Sequence, residues 1–230
     1  MHDHTDTHDH DHHHGEFDLE LARRNPAEFW DLRYAEAGDV MWSGNPNGTV
    51  EVELADLEPG RALDIGCGEG ADARWLAERG WQVTAVDVSP VAIERAKAAA
   101  AAAAAAGELA DAVTWQATNL LVDPPESKAY DLVLMMYPAF HHPVSAETIR
   151  AIADAVAPGG TLLAVHHVVN PDHAAEHGYD PSQFVSVADI AEALAESDFT
   201  VEVHETRSRP NPPADSHHAD DEVLRLTRSG

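Results

Sequence analysis

The stretch Arg61-Ala62-Leu63-Asp64-Ile65-Gly66-Cys67-Gly68-Glu69-Gly70 decides the fold. It opens as a short apolar strand and runs straight into three glycines at alternate positions. A helical pattern follows over 71–79. Glycine lets the backbone turn sharply and approach a ligand that side chains would exclude. A strand, glycine turn and helix in that order belong at the carboxyl edge of a doubly wound sheet, where ligands bind. The helix start adds free N–H groups and a positive dipole end. Gly66-x-Gly68-x-x-Ala71 also fits a dinucleotide-binding turn, so the loop alone leaves two cofactors open.

Two acids narrow the choice. Asp64 stands two residues before the first glycine. A buried acid there repels a pyrophosphate but suits a cationic amino-acid end such as that of S-adenosylmethionine. Further on, Trp81-Gln82-Val83-Thr84-Ala85-Val86-Asp87 reads as a second strand ending in an acid, followed by the helix cap Ser89-Pro90. An acid at that strand end accepts from both ribose hydroxyls. Asp87 alone would serve NAD equally well; Asp64 with it would not.

Working outward, strand patterns at 61–65, 81–87, 112–117, 131–136, 161–166, 199–204 and 222–228 alternate with helix patterns at 71–79, 90–106, 145–157 and 186–197. Ser89, Ser145 and Ser186 stand where N-caps belong, and Gly80 and Gly107 where C-caps belong. The expected class is α/β: a doubly wound, Rossmann-like sheet of seven strands, mainly parallel, with one antiparallel strand near the C-terminus. Upstream, Asn25-Pro26-Ala27-Glu28 looks like a helix start, with Trp30 and Tyr34 on one face and Gly38 at the stop. The ordered part is expected to begin near Asn25, and Trp42-Ser43-Gly44-Asn45-Pro46-Asn47-Gly48 is expected as a loop.

The run Leu63–Gly70 and the run Ala85-Val86-Asp87-Val88-Ser89-Pro90 resemble the signature of class I S-adenosylmethionine-dependent methyltransferases. The likeness continues through Asn119, Tyr130-Asp131-Leu132-Val133-Leu134 and Ala157-Pro158-Gly159-Gly160, covering about residues 25–228 in order. It implies S-adenosyl-L-methionine as cofactor. On that resemblance the glycine turn (Gly66, Cys67, Gly68, Gly70) with Asp64 holds the methionine portion, and Asp87 binds ribose. Asn119, in place of the commoner Asp, reads the adenine amine, and Val88 and Leu120 complete the cofactor-binding set. The lead-in Phe29-Trp30-Asp31-x-x-Tyr34 with Trp42-Ser43-Gly44-Asn45-Pro46 is similar to that of small-molecule methyltransferases of the tellurite-resistance and thiopurine type. There, aromatics matching Tyr34 and Trp42 close over the cofactor. Trp30 reads equally well as packing on the sheet.

Parallel topology also puts histidines on the ligand face. His141 and His142 follow strand four; His166 and His167 end strand five, with His173 and His177 beyond. A connection over 205–221, long enough to form part of a lid, carries Arg207, Arg209, His217 and His218. These histidines are open to three readings: metal ligands, general bases or polar groups on a wet surface. His142 is the first catalytic candidate because its loop borders the expected acceptor pocket. Tyr137, at the end of strand four, is the second, as a positioning group or base.

Charge bounds the partners. The net charge is −27, and Lys97 and Lys128 are the only lysines among 14 basic residues. No basic stripe exists to release counterions from nucleic acid or to meet an acidic membrane, so a small-molecule substrate is expected. Residues 1–20 form a separate segment in which His2, His4, His8, His10, His12, His13 and His14 alternate with acids. It reads as a disordered tail ahead of a single domain over 21–230. The tail has the composition for weak divalent-metal binding, against the plainer reading of a solvated leader. One cysteine and no apolar span point to the cytoplasm. The leading expectation is direct in-line methyl transfer to a thiol, a chalcogen or metalloid oxyanion, or a metabolite hydroxyl or amine. The alternatives are a non-catalytic metal-binding or sensor protein on this fold and, third, an NAD-dependent oxidoreductase.

Overall fold

The computed structural model describes residues 18–105, 112–169, 180–212 and 219–230. The elements are α1 Leu19–Arg24, α2 Pro26–Glu36, α3 Gly48–Glu53, β1 Arg61–Ile65, α4 Ala71–Glu78, β2 Gln82–Asp87, α5 Pro90–Ala105 and β3 Val113–Ala117. They continue with β4 Tyr130–Met136, α6 Ala146–Ala153, β5 Val156–His167, a 3-10 turn Pro181–Gln183, α7 Val187–Leu194, β6 Phe199–Ser208 and β7 Asp220–Arg228. The seven strands form one sheet in the order β3-β2-β1-β4-β5-β7-β6. Strands β1 to β5 pair in parallel, and β7 runs antiparallel between β5 and β6. The doubly wound sheet with one antiparallel C-terminal strand forms as expected.

The helix boundaries follow from local chemistry. Ser89 Oγ accepts from the Ala92 N–H at the start of α5, and Ser145 Oγ from Thr148 at the start of α6. Ser186 and Asp189 make a reciprocal capping box on α7. Past the ends of α2 and α4, Gly38 and Gly80 take φ of +78° and +91°, the left-handed turn that releases a chain from a helix.

Strand alternation splits the core into two layers. Leu63, Ile65, Val133, Met135, Leu162, Ala164 and Leu224 pack with Ile149, Ile152 and Ile190 of α6 and α7. Ala62, Leu132, Leu134, Leu163, Val165 and Val223 face the other way, against Val50 of α3 and Trp75 and Leu76 of α4. This parity assigns every residue at the carboxyl edge to one layer or the other.

Four boundaries differ from the sequence reading. A helix already covers Leu19–Arg24, with Ala22 buried, so order begins before Asn25. Gly48, expected as the end of a loop, opens α3, a helix the sequence reading did not include. The helix expected to 157 stops at Ala153, and β5 starts at Val156. The cause is Arg228, whose guanidinium donates to the Asp154 and Val156 carbonyls and pins the turn there. Finally, β6 runs on to Ser208 and β7 begins at Asp220, so both ends of the expected 205–221 connection are strand. β6 is an outer strand paired to β7 alone, and its polar, exposed end over 205–208 carries no apolar alternation to extend the strand read at 199–204. The expected C-cap at Gly107, the histidine tail, and His173, His177, His217 and His218 lie outside the described residues.

Candidate active site

The glycine turn is held by its own backbone. Gly66 and Cys67 donate to the Val86 carbonyl at 2.8 and 3.0 Å, and Gly70 donates to the Cys67 carbonyl at 2.8 Å. Gly66, Gly68 and Gly70 all have positive φ, and a Cβ on Gly70 would sit 2.4 Å from the Trp115 ring. Gly66 instead faces open space. α4 starts at Gly70 with no cap from that residue's side chain, and of its first-turn N–H groups that of Ala73 is taken by Asp64.

Three carboxylates surround this turn. Asp64 is buried at the end of β1; it accepts from the Ala73 N–H, while its Oδ2 has no hydrogen-bond partner. Burial pushes its carboxyl well above the usual carboxylate range, and the charges of Asp72 and Asp87 push it further. Asp87 is also raised by burial, although its Oδ2 accepts from Gly68 N–H and its Oδ1 from Ser89 N–H, both at 2.9 Å. Asp72, on the first turn of α4, is raised by burial too, against two hydrogen bonds of 2.7 Å from Asn47. The Cys67 thiol is pushed up by burial and by the charges of Asp64 and Asp87. A buried carboxyl raised by two neighbouring carboxylates, as Asp64 is, favours a cation beside it.

A roof lies over the turn. Tyr34 is buried on α2, and its hydroxyl accepts from Trp42 Nε1 at 3.0 Å. Both groups sit 3.2 Å from where a Gly68 Cβ would stand. Burial, then the Asp87 charge, holds the Tyr34 phenol above its ordinary range. Glu69, inside the glycine turn, accepts from the Met41 and Trp42 N–H groups at 3.0 Å each and pairs with Arg95 at 3.0 Å. Arg95 also donates to the Tyr34 and Gly38 carbonyls, and Arg74 ties the Glu69 carbonyl to that of Gly44. Asp31 on α2 accepts from Ser89 and Val91 at the start of α5. The sequence assigns Glu69, Arg74, Arg95 and Asp72 no role, and Asp31 enters only as a member of the lead-in motif. Glu69 fills a variable position of the glycine pattern, and the others are ordinary charged residues on helices.

The remaining candidates separate by layer. Asn119 Oδ1 accepts from the Leu121 N–H at 3.0 Å in a turn after β3, with Leu120 buried beside it and Val88 half-buried after β2. His142 belongs to the α6–α7 side: its Nε2 lies 3.6 Å from Asp189, and its N–H donates to the Gln183 carbonyl. His141 is packed between Phe29 and Phe184, and burial, with the Arg23 charge, brings it down to about 4. His166 points into the same layer and is brought down to about 4 by burial, then by the charge of His167. His167 points the other way, onto Asp221, with Tyr137 stacked on its ring. The structure therefore divides the expected histidine face. Among the described residues, no group of three or more His, Cys, Asp or Glu side chains could hold a metal ion.

Residues 62–160 match the family model described as "Methyltransferase domain". The chain carries a methyltransferase domain. S-adenosylmethionine is its cofactor, in place of NAD, and the residues fit it: the partnerless Asp64 oxygen stands beside an open glycine turn, inside a ring of carboxylates that a cationic ligand relieves. No curated protein matches the chain in sequence. Solved structures share its fold. One was determined in work on the conversion of a disulfide bond into a thioacetal group during echinomycin biosynthesis. It is 24% identical, with a TM-score of 0.66 over 88% of this chain and 93% of that one. The N-methyltransferase NodS from Bradyrhizobium japonicum WM9 is 20% identical, with a TM-score of 0.56 over 90% and 99%. TehB from Haemophilus influenzae is 14% identical, with a TM-score of 0.59 over 87% and 67%.

Proposed function

We propose that this methyltransferase acts on a small molecule by direct in-line transfer. The observation that carries the reading is the roof: Tyr34 and Trp42 lie on Gly68 at one end, and α3 meets the 209–212 segment at the other. A Cβ on Gly48 would come within 2.2 Å of the Pro210 carbonyl. A site covered this way admits a compact acceptor and excludes water, and alignment with water exclusion is the main requirement of a transfer that needs no covalent intermediate. The absence of a basic stripe in a chain of net charge −27 supports the same choice over nucleic acid. No helix among the described residues is long and apolar enough to cross a membrane.

The cofactor supplies an electrophilic methyl on a sulfonium. Asp64 and the first turn of α4 receive the amino-acid end, Asp87 the ribose hydroxyls, and Asn119 with Leu120 the adenine. Val88 and Cys67 line the passage between them. Tyr34 and Trp42 would close over the cofactor from the Gly68 side. The test is calorimetric titration with S-adenosylmethionine and NAD, followed by S-adenosylhomocysteine release on a panel of thiols, phenols, amines and metalloid oxyanions. Turnover on a protein or nucleic acid but on no member of the panel refutes the small-molecule reading.

A further inference from the structure

Asp221, next to the first residue of β7, has no exposed surface, and its carboxylate collects donors from four parts of the chain. Tyr137 donates its hydroxyl at 2.8 Å, Thr49 of α3 donates at 3.2 Å, His167 Nδ1 lies at 3.0 Å and Arg209 Nε at 3.5 Å. A carboxylate only accepts, so the imidazole proton of His167 sits on Nδ1, and in the neutral ring the lone pair is on Nε2. The His167 side chain keeps 25% of its surface open while Asp221 keeps none. Tyr137 stacks on the ring with centroids 3.9 Å apart.

Register locates this cluster against the glycine turn. Ile65 of β1 is level with Met135 of β4, Met136 is level with Val165 of β5, and His167 is level with Asp221. Cys67, Tyr137, His167 and Asp221 thus follow one another along the carboxyl edge. Neighbouring strands lie roughly 4.8 Å apart, which puts His167 about two strand spacings from the turn. By strand parity Asp64, His167 and Asp221 share the α3–α4 layer, from which Thr49 of α3 donates to Asp221. His142 and His166 do not.

We propose that the acceptor is a hydroxyl compound and that His167, oriented by Asp221, is the general base that takes its proton. The proposal rests on the methyltransferase reading above. A thiol is partly ionised near neutral pH and a chalcogen oxyanion fully so, whereas a phenol or alcohol holds its proton, so a phenol or alcohol has most to gain from a base. In the step, a lone pair of the acceptor oxygen forms the new O–C bond while the O–H proton passes to Nε2. The electrons of the broken C–S bond stay on sulfur, and the imidazolium is held by Asp221 until it loses its proton to solvent. Tyr137 is a wall of this site and no base: its hydroxyl already donates to Asp221, and burial with the Asp221 charge holds the phenol above its ordinary range. Its φ of +52°, unusual for an aromatic residue, turns it onto His167.

The experiment uses the full chain as wild type, His167→Gln and Asp221→Asn. Titration with S-adenosylhomocysteine reads the cofactor site alone, and His167→Gln is expected to bind within about threefold of wild type. Long-range nitrogen–proton NMR of the His167 ring, assigned by its loss in His167→Gln, is expected to show Nδ1–H in wild type and a shift toward Nε2–H in Asp221→Asn. Turnover is then measured on phenol and 4-nitrophenol at a pH between their pKa values. His167→Gln should lower kcat/KM for phenol by about 10²–10⁴-fold and for the ionised nitrophenol by less than about tenfold. Equal losses on the two, no loss on either, or an Nε2–H ring in wild type overturns the base assignment. Wild type that binds the cofactor yet methylates neither phenol overturns the hydroxyl assignment and leaves the methyltransferase reading standing. Wild type that does not bind S-adenosylhomocysteine removes the reading beneath both.

Discussion

Glu69→Ala should loosen the roof without touching a cofactor atom. The Glu69 carboxylate accepts from Met41 N–H, Trp42 N–H and Arg95, each at 3.0 Å, and its side chain is 10% exposed. A hydrogen bond to a charged group contributes about 1.5–3 kcal/mol, so three give a ceiling of roughly 5–9 kcal/mol. The ceiling is not reached: Arg95 is 21% exposed and keeps its bonds to the Tyr34 and Gly38 carbonyls, and the freed N–H groups lie near the surface. About 3 kcal/mol is the resulting expectation. At about 2–4 °C per kcal/mol for a chain of this size, the Tm should fall by roughly 6–12 °C. Glu69→Gln keeps an acceptor and loses the charge, and should cost about 1 kcal/mol. Scanning calorimetry reads the Tm, and titration with S-adenosylhomocysteine should show about tenfold weaker binding for the alanine variant. A Glu69→Ala protein that melts within about 2 °C of wild type, with unchanged affinity, refutes the clamp.

Asp87→Ala should weaken S-adenosylhomocysteine binding by at least about 100-fold, because two charge-assisted ribose hydrogen bonds disappear; retained affinity in calorimetry counts against the ribose assignment. Asp64, Asp72 and Asp87 are all raised in the folded protein, so the stability tied to each is present at low pH and lost as pH rises through its raised value. The cofactor-free protein should accordingly lose Tm from these groups above the ordinary carboxylate range. The Tm gain on adding S-adenosylmethionine should grow over the same window; a gain independent of pH contradicts the carboxylate ring. Asp64→Asn should raise the cofactor-free Tm by about a few degrees and weaken cofactor binding, since the buried charge that costs stability also attracts the ligand. Arg228→Ala, which removes bonds to Asp154, Asp198 and the Val156 carbonyl, should destabilise by about 3–5 kcal/mol in urea unfolding and leave cofactor affinity unchanged.

Much of the cofactor half was legible because it is local. Strand, glycines and Asp64 stand within ten residues of one another, Asp87 ends the next strand, and the caps Ser89, Ser145 and Ser186 mark the helices. The other half depends on distance. Asp221 is 54 positions from His167 and 84 from Tyr137, and it is one of 41 acids, so no spacing rule selects it. The antiparallel register of β5 with β7 makes the pair. Adjacent histidines could not be ranked either: His166 and His167 differ only by which way the pleat turns them, and that waits on knowing which layer carries Asp221. α1 and α3, six residues each, are too short to show a helical period.

The place of β7 has a consequence for how the enzyme matures. It is the last of the seven strands to be synthesised, yet it is inserted between β5 and β6. A nascent chain up to β6 already holds the glycine turn, Asp64 and Asp87, but its β5 edge is open and β6 has no neighbour to pair with. Closing that gap depends on contacts distant in sequence, which form slowly and leave an exposed strand edge in the meantime. The insertion that seals the edge also delivers Asp221. Under the role proposed for Asp221, completion of the sheet and arming of the acceptor site would be one event.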